Sequence, residues 1–234
     1  MDEGRIALVT GASGGIGAAI AARLTGLGVR VAGSYRSGAD RAAATGAALT
    51  VQADLAHADA CARLVEEVER GVGPVDVLVA NAGAGQRRTL DEVTLEEFDA
   101  AYAVNLRAPF LLAQRVISGM RERGYGRILL TSSVAAFTGG IVGPHYAASK
   151  AGLHGLTHYL ASREAGNGIT VNALAPALIE DTQMLPGDPG DLAARIPVGR
   201  LGRPEEVADL ALAVLSNAYL TNQVVGIDGG MYPR

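Results

Sequence analysis

TGASGGIG, residues 10–17, joins an apolar, β-branched stretch to a segment with helical spacing. The stretch before it, residues 5–10, predicts a short strand, and residues 16–27 predict a helix that is apolar on one face. Glycines let a backbone approach a phosphate closely, and the N-terminus of a helix presents free N–H groups to it. A glycine motif alone can also be a tight turn, but the preceding strand and the following helix favour a dinucleotide-binding site.

The rest of the chain repeats this alternation of strand and helix. Further strands are predicted at 29–34, 49–53, 75–80, 126–132, 169–175 and 223–227, and helices at 40–47, 59–70, 94–123, 144–165 and 204–215, with a kink at Pro109 in the third of these helices. Within strand 75–80, residues 77–80 are apolar without alternation, which is typical of strands covered on both faces of a parallel sheet. We therefore predict a single doubly wound α/β domain over residues 1–234.

Polar residues follow several of the predicted strands. With right-handed crossovers, the carboxyl ends of all strands in such a sheet share one edge, and ligands bind there. The glycine turn, Asp54, Asn81 and Ser133 all fall on this edge, so their convergence predicts one functional site. Residues 177–203 lose periodicity and collect Pro and Gly, which predicts a short, mobile lid over that site.

Tyr146 and Lys150 lie four residues apart in a predicted helix, so both side chains leave the same face. An ammonium beside a phenol favours the phenolate and lowers the pKa of the tyrosine from about 10 toward neutral pH. A general acid for a carbonyl or alcohol oxygen needs such a pKa. Ser133, just past a predicted strand, could donate a second hydrogen bond to the same oxygen. Taken alone, a Tyr and a Lys at this spacing are more often a core ring beside a solvated charge.

The composition argues for a small-molecule ligand. The 234 residues are 49% hydrophobic, enough for a large core, and the formal charge of −4 comes without a run of Lys or Arg. Nucleic acid and anionic membranes are therefore poor candidates for the main partner. The single cysteine, Cys61, cannot form an internal disulfide, and no apolar run reaches the ~18 residues that span a bilayer. We predict a soluble, cytoplasmic protein.

Taken together, these motifs resemble those of the short-chain dehydrogenase/reductase family, whose glycine turn has the pattern Thr-Gly-x-x-x-Gly-x-Gly. The remaining matches follow the family's order along the chain: Asn81-Ala82-Gly83, Asn105, Ser133, Tyr146-Ala147-Ala148-Ser149-Lys150, Asn172-Ala173-Leu174-Ala175-Pro176 and Asp228-Gly229-Gly230. Within the family, the sequence is most similar to the 3-oxoacyl-[acyl-carrier-protein] reductase type. The resemblance implies a seven-stranded parallel sheet, a homotetramer and hydride transfer with a nicotinamide cofactor.

The resemblance also implies a role for each site residue. Tyr146 would protonate the oxygen of the reacting ketone, Ser133 would hold that oxygen, and Lys150 would contact the nicotinamide ribose. Asn105 would carry a water that connects Lys150 to solvent, whereas its structural alternative is a polar partner near Pro109. The cofactor would be held by Gly11, Ser13, Gly15, Ile16, Gly17, Tyr35, Arg36, Ser37, Asp54, Leu55, Asn81, Ala82, Gly83, Tyr146, Lys150, Pro176, Ile179 and Thr182.

The end of the second predicted strand bears on which nicotinamide cofactor is used. An acidic residue there would bind the ribose 2′-OH of NAD and repel a 2′-phosphate. The chain instead has Tyr35, Arg36 and Ser37, and an arginine can bind phosphate through charge-assisted hydrogen bonds, so NADP(H) is favoured over NAD(H). The alternative is that Arg36 is a solvated charge in a loop without a binding role. Asp54 would face the adenine by resemblance, and its alternative role is a helix cap.

Some positions depart from the family's pattern. Ala177 stands where the family usually has Gly, and Thr182 lies one position later than the usual hydroxyl near the nicotinamide amide, so Ile179 is the better predicted contact. Asn167 occupies one place where some relatives use a basic residue to dock acyl-carrier protein. Arg121 and Arg123 could substitute for it, and a carrier-protein substrate stays one of the possibilities.

The histidines could suggest a metal site. His154 and His158 form an i, i+4 pair, but no carboxylate or Cys partner lies nearby in sequence, so we predict no metal. A helix surface or a subunit contact is the expected place for His145, His154 and His158.

Three functions fit these observations. The first is NADPH-dependent reduction of a ketone, most simply a 3-oxoacyl thioester of acyl-carrier protein or CoA. The same residues could instead oxidise a secondary alcohol, sugar or polyol with NAD(P). A non-enzymatic, cofactor-binding sensor is the third possibility, and the intact set of Ser133, Tyr146 and Lys150 argues against it.

Overall fold

The computed structural model describes residues 3–182 and 192–232 and places seven strands in one parallel sheet. Their order across the sheet is β3-β2-β1-β4-β5-β6-β7. The order changes direction between β1 and β4, which opens a crevice at their carboxyl ends. The strands are β1 (Ile6–Thr10), β2 (Arg30–Tyr35), β3 (Leu49–Gln52), β4 (Val77–Ala80), β5 (Gly126–Thr131), β6 (Ile169–Pro176) and β7 (Val224–Ile227).

Helices cover both faces of the sheet, and a π-helical turn at Ala103–Arg107 and a 3₁₀ turn at Ala165–Asn167 accompany them. The predicted alternation of strand and helix, and the seven-stranded parallel sheet, are confirmed. The helices are α1 (Gly15–Gly26), α2 (Ala39–Ala43), α3 (Ala58–Gly71), α4 (Leu95–Tyr102), α5 (Ala108–Glu122), α6 (Ala135–Thr138), α7 (Pro144–Glu164) and α8 (Pro204–Ser216).

The central strands are buried on both faces because their side chains feed two separate cores. In β1, Leu8 packs in the core that contains α3 and α5, whereas its neighbour Val9 packs in the core that contains α1 and α8. Every residue of β1, β5 and β6 is buried. β4 is buried in the same way, which accounts for its unbroken apolar residues. Within the described ranges, no helix is long and apolar enough to cross a bilayer.

The predicted helix 94–123 is interrupted, but not at the expected place. A capping box at Thr94 starts α4, with the Glu97 amide donating to the Thr94 hydroxyl and a Glu97 carboxylate oxygen accepting from the Thr94 amide. The irregularity is the π turn that ends at Arg107, whereas Pro109 lies at the start of α5, where its missing N–H costs little. The predicted kink at Pro109 is therefore corrected to the π turn that precedes it.

Candidate active site

A cavity of about 1120 Å³ runs along the carboxyl ends of the strands. It extends from the glycine turn after β1, past the end of β4, to the N-terminal part of α7. Every predicted site residue except Asn105 lines it. These are Gly11, Ser13, Gly15, Ile16, Gly17, Tyr35, Arg36, Ser37, Asp54, Leu55, Asn81, Ala82, Gly83, Ser133, Tyr146, Lys150, Pro176, Ile179 and Thr182.

The glycine turn presents backbone N–H groups to the cavity. Gly11 adopts φ +70°, a left-handed conformation that favours glycine, and its carbonyl accepts from the Gly14 amide at 3.1 Å. In the part of the chain that the structure describes, no side chain caps the start of α1. The first N–H groups of this helix are therefore available to an anion, and the turn fits the pyrophosphate of a dinucleotide.

Thr10 ties this turn to the end of β4. Its hydroxyl oxygen accepts from the amides of Asn81 and Ala82 at 3.0 and 2.9 Å, and its carbonyl accepts from the Asn81 side chain at 3.1 Å. The turn and the segment after β4 are thus held as one unit across the switch point of the sheet. No local sequence pattern indicates this role of Thr10.

The far end of the cavity is lined by residues that follow β2 and β3. The carbonyl of Arg36 accepts from the Gln52 side chain at 3.0 Å, and Asp54 accepts from the amide of Ala56 at 3.0 Å. The alternative role for Asp54, a cap of the next helix, is not what the structure has, because the N-cap of α3 is His57. Arg41, on α2, lines the same end of the cavity and was missed because it lies outside the strand-end motif.

Lys150 is the only lysine in the chain, and its ammonium is buried at the opposite end of the cavity. The Nζ atom donates to the carbonyl of Thr131 at 2.6 Å, at the end of β5. Burial lowers the pKa of Lys150 to about 8. The alternative of a solvated surface charge is therefore wrong for this residue.

Tyr146 is buried beside Lys150, with only 6% of its surface exposed. Burial raises the pKa of Tyr146 above its usual value, and a hydrogen bond with the Ser133 side chain lowers it by less. This direction is opposite to the one predicted from the Tyr/Lys spacing. The reason is that the phenol loses hydration on burial, while the Lys150 Nζ lies 5.8 Å from the centre of the ring.

Asn105 lies behind the cavity rather than on its surface. It is fully buried in the π turn, and its side-chain amide donates to the Ala84 carbonyl at 2.8 Å and to the Ser149 hydroxyl at 3.0 Å. Its side-chain oxygen accepts from the Ala84 amide, also at 2.8 Å. Both donors are used, so the side chain holds the segment after β4 against α7. The predicted water-carrying role remains a prediction.

The segment after β6 packs against the glycine turn. Thr182 donates its hydroxyl to the Ile179 carbonyl at 2.8 Å, and a Cβ on Gly15 would lie 2.9 Å from the Asp181 carbonyl oxygen. Glycine at position 15 is therefore needed for this close approach. Only part of the predicted lid at 177–203 can be described, because residues 183–191 lie outside the described ranges.

The three histidines of α7 have different environments. His145 is buried and lines the cavity, so the expected surface position is wrong for it. His154 lies 2.9 Å from the Ser132 hydroxyl, and His158 lies 2.6 Å from the Asn222 side chain. Among the described residues, no three His, Cys, Asp or Glu side chains are grouped so that they could share a metal ion.

Arg121 and Arg123 are engaged in ion pairs. Arg121 donates to the buried carboxylate of Glu164 at 2.7 Å, and this contact holds the pKa of Glu164 below its usual value. Arg123 donates to Asp76 at 3.1 Å, and Asn167 donates to Glu164. The two arginines are therefore engaged within the fold, and their use as docking residues for a carrier protein remains a prediction.

Sequence comparisons place these observations among known proteins. The chain matches the family model described as short chain dehydrogenase over residues 5–189. The acetoacetyl-CoA reductase of Shinella zoogloeoides is 38% identical, with 97% of this chain and 98% of that protein aligned. The 3-oxoacyl-[acyl-carrier-protein] reductase of Thermotoga maritima is 38% identical, with 98% of each chain aligned.

A structure comparison gives the same result. The solved structure of a Serratia marcescens short-chain dehydrogenase/reductase with two substitutions matches this chain with a TM-score of 0.90. The sequences are 34% identical, and the match covers 98% of each chain. A likeness of this extent includes the whole sheet and both helical layers.

Proposed function

Since the chain belongs to the short-chain dehydrogenase family, we propose that it is an NADPH-dependent reductase of ketones, and that its substrate is a 3-oxoacyl thioester. The names of its relatives support this substrate class, because reductases of acetoacetyl-CoA and of 3-oxoacyl-carrier-protein both act on such thioesters. The observation that carries the proposal is the joint placement of the glycine turn, Ser133, Tyr146 and Lys150 on one cavity.

The phenol of Tyr146 is suited to donating a proton. Because burial raises its pKa, the phenol stays protonated at neutral pH, which is the form that ketone reduction requires. A reduced nicotinamide, when bound, would supply the hydride, and Tyr146 would donate its proton to the ketone oxygen. Oxidation of an alcohol would need the phenolate instead.

Ser133 and Lys150 hold the groups on either side of Tyr146. The Ser133 hydroxyl already hydrogen bonds Tyr146, which places it to bind the same ketone oxygen. Lys150, with a pKa of about 8, is mostly an ammonium at neutral pH and is anchored by one hydrogen bond to Thr131. Its other N–H groups are proposed to bind the ribose of the nicotinamide.

Two arginines support the preference for NADPH. Arg36 and Arg41 both line the cavity after β2, and among the described residues neither takes part in an ion pair with a carboxylate. Both guanidinium groups are therefore available to a 2′-phosphate. A carboxylate, which would favour the free 2′-OH of NADH, is absent from positions 34–37 at the end of β2.

Replacing Arg36 by Asp tests the cofactor preference. We expect the ratio of kcat/KM for NADPH to that for NADH to fall about 10- to 100-fold, because a charge-assisted hydrogen bond is lost and a repulsive charge is added. Arg30→Asp is the matched control, since Arg30 is exposed at the opposite end of β2. A ratio that stays unchanged in Arg36→Asp would contradict the assignment.

We also infer that the protein assembles as a homotetramer. Large apolar side chains are exposed on and near α4 and α5, namely Leu90, Leu95, Phe98 and Phe110. An apolar surface of this kind marks an interaction site. Light scattering should give a mass four times the chain mass of 23.9 kDa, and a monomeric or dimeric mass would refute the inference.

Oxidation of NADPH, and separately of NADH, with acetoacetyl-CoA and a panel of small ketones tests the proposed function. Turnover of the thioester with NADPH as the better cofactor would support it. Turnover only of a simple ketone, or of an alcohol in reverse, would replace the substrate class. Cofactor binding without turnover of any substrate would favour a sensor.

A further inference from the structure

We propose that Gly85 is a positioning residue for Tyr146: its lack of a side chain creates the space in which the phenol ring lies. This inference rests on the proposed function, in which Tyr146 donates the proton. Gly85 follows β4 and lines the same cavity as Tyr146. A Cβ at position 85 would lie 2.7 Å from Cδ2 and 3.3 Å from Cγ of the tyrosine.

The position of this contact on the ring makes it difficult to relieve. Cγ and Cδ2 belong to the part of the ring nearest the backbone of α7, so the whole ring would have to tilt. Ordinary contacts begin at 3.4 Å, and Cδ2 would have to move away from 2.7 Å. The ring also packs with Ala135 and Val142 in a small apolar cluster, which limits its movement.

The segment that carries Gly85 is held on both sides and cannot simply retreat. On one side, Asn105 binds both the amide and the carbonyl of Ala84 at 2.8 Å. On the other side, the Arg88 amide donates to the Val142 carbonyl at 2.9 Å. A methyl group at position 85 would therefore displace Tyr146 or Val142, whose Cγ1 would lie 3.0 Å away.

A neighbouring glycine, Gly83, also lies close to residues of the site. A Cβ on Gly83 would lie 3.3 Å from the Nζ atom of Lys150 and 3.4 Å from the Asn105 side chain. These contacts are looser than those at Gly85. Gly85 is thus the position at which the segment most directly sets the orientation of the tyrosine.

The variant Gly85→Ala tests the proposal against Gly26→Ala. Gly26 is a helical glycine at the end of α1, and a Cβ there would have no neighbour within 4 Å. We expect Gly85→Ala to lower kcat about 10- to 100-fold, because a displacement near 1 Å has this effect on positioned groups. The Kd of Gly85→Ala for NADPH should stay within about twofold of the parent value. The kcat of the control, Gly26→Ala, should also stay within about twofold of the parent value.

A second substitution tests whether the cause is steric. Val142→Ala, added to Gly85→Ala, removes the Cγ1 atom that would lie 3.0 Å from the new methyl group and gives that group space, so part of the lost kcat should return. A double variant as impaired as Gly85→Ala alone would overturn the steric explanation, and a Gly85→Ala enzyme with kcat within about twofold of the parent would overturn the proposal itself.

Crystal structures of the parent and Gly85→Ala separate this proposal from the proposed function, because they do not require turnover. If the parent reduces none of the ketones, the proposed function fails. The positioning role then stands if the distance between the Tyr146 hydroxyl and the Ser133 Oγ increases in Gly85→Ala, and falls if that distance is unchanged.

Discussion

The two ends of the cavity are built from different groups. At the glycine turn, the cavity wall is backbone: Gly11 is left-handed and the start of α1 offers N–H groups without a side-chain cap. At α7 the wall is made of buried side chains, among them Lys150 and Tyr146, whose pKa values burial shifts in opposite directions.

This difference separates two ways in which a substitution can act. A backbone site depends on shape, so an added methyl group is harmful where the space is filled and harmless where it is open. A site made of buried ionisable side chains depends on protonation, so removal of one hydroxyl or a change of pH is harmful even when the shape is kept.

The largest effect is expected at the α7 end. Tyr146→Phe keeps the ring and removes the proton donor, so kcat should fall about 1000-fold, within the range that general acids contribute. The Kd for NADPH should stay within about twofold, as measured by the fluorescence of the bound cofactor. Tyr219→Phe, at a tyrosine that is 99% exposed, is the control and should be fully active. Turnover by Tyr146→Phe at the parent rate would end the assignment of Tyr146.

An effect of about 10- to 100-fold on cofactor binding is expected at the glycine turn. In Gly17→Ala the new Cβ would overlap the Gly11 carbonyl oxygen and lie 2.5 Å from the Asn81 side chain. In Gly14→Ala the nearest atom would be that same carbonyl oxygen at 3.6 Å, an ordinary contact. Titration with NADPH should show weak binding for Gly17→Ala only. Equal affinities of the two variants for NADPH would refute the idea that this part of the cavity depends on shape.

The smallest effect is a pH dependence that belongs to Lys150. Its folded pKa of about 8 means that the ammonium, the proposed active form, is lost as pH rises above that value. The kcat/KM should therefore decline by roughly tenfold per pH unit on the alkaline side. Lys150→Arg, which stays charged, should not show this decline in its residual activity.

The same pKa can be measured without turnover. Because Lys150 is the only lysine, protein labelled with isotopes in lysine gives a single side-chain signal in NMR spectra. That signal should titrate near pH 8. A titration near the usual pKa of about 10.4 would show that the ammonium is solvated and would remove the electrostatic distinction between the two ends.

The sequence was sufficient to predict most of the fold and most of the residues that line the cavity, because both depend on local patterns. The alternation of apolar runs and helical periods predicts a doubly wound sheet, and the topology of such a sheet brings the strand ends together. The π turn escaped this reasoning because Ala101, Ala108 and Leu112 stay buried through it, so the apolar periodicity shows no break. That Lys150 is the single lysine of the chain is visible in the sequence.

The remaining features depend on contacts between residues far apart in the chain. Arg121 and Arg123 find their carboxylates on Glu164 and Asp76, 43 and 47 positions away, and no local pattern indicates such pairs. The rise in the pKa of Tyr146 likewise follows from enclosure by several separate segments. A spacing of four residues identifies a neighbour, but it does not determine how much water reaches the phenol.

The central pairing of β1 with β4 has a consequence for the chain during its synthesis. Residue 7 pairs with residue 77, so at roughly 5 to 20 residues per second the ribosome needs roughly 4 to 14 s to deliver the partner of β1. During that interval β1 can pair with β2, while its other edge, on a strand that is apolar over residues 6–9, stays open to wrong partners. The Thr10 hydroxyl also lacks its two native donors before Asn81 and Ala82 emerge. The cofactor site is therefore assembled late, although the motif that defines it is among the first segments to be made.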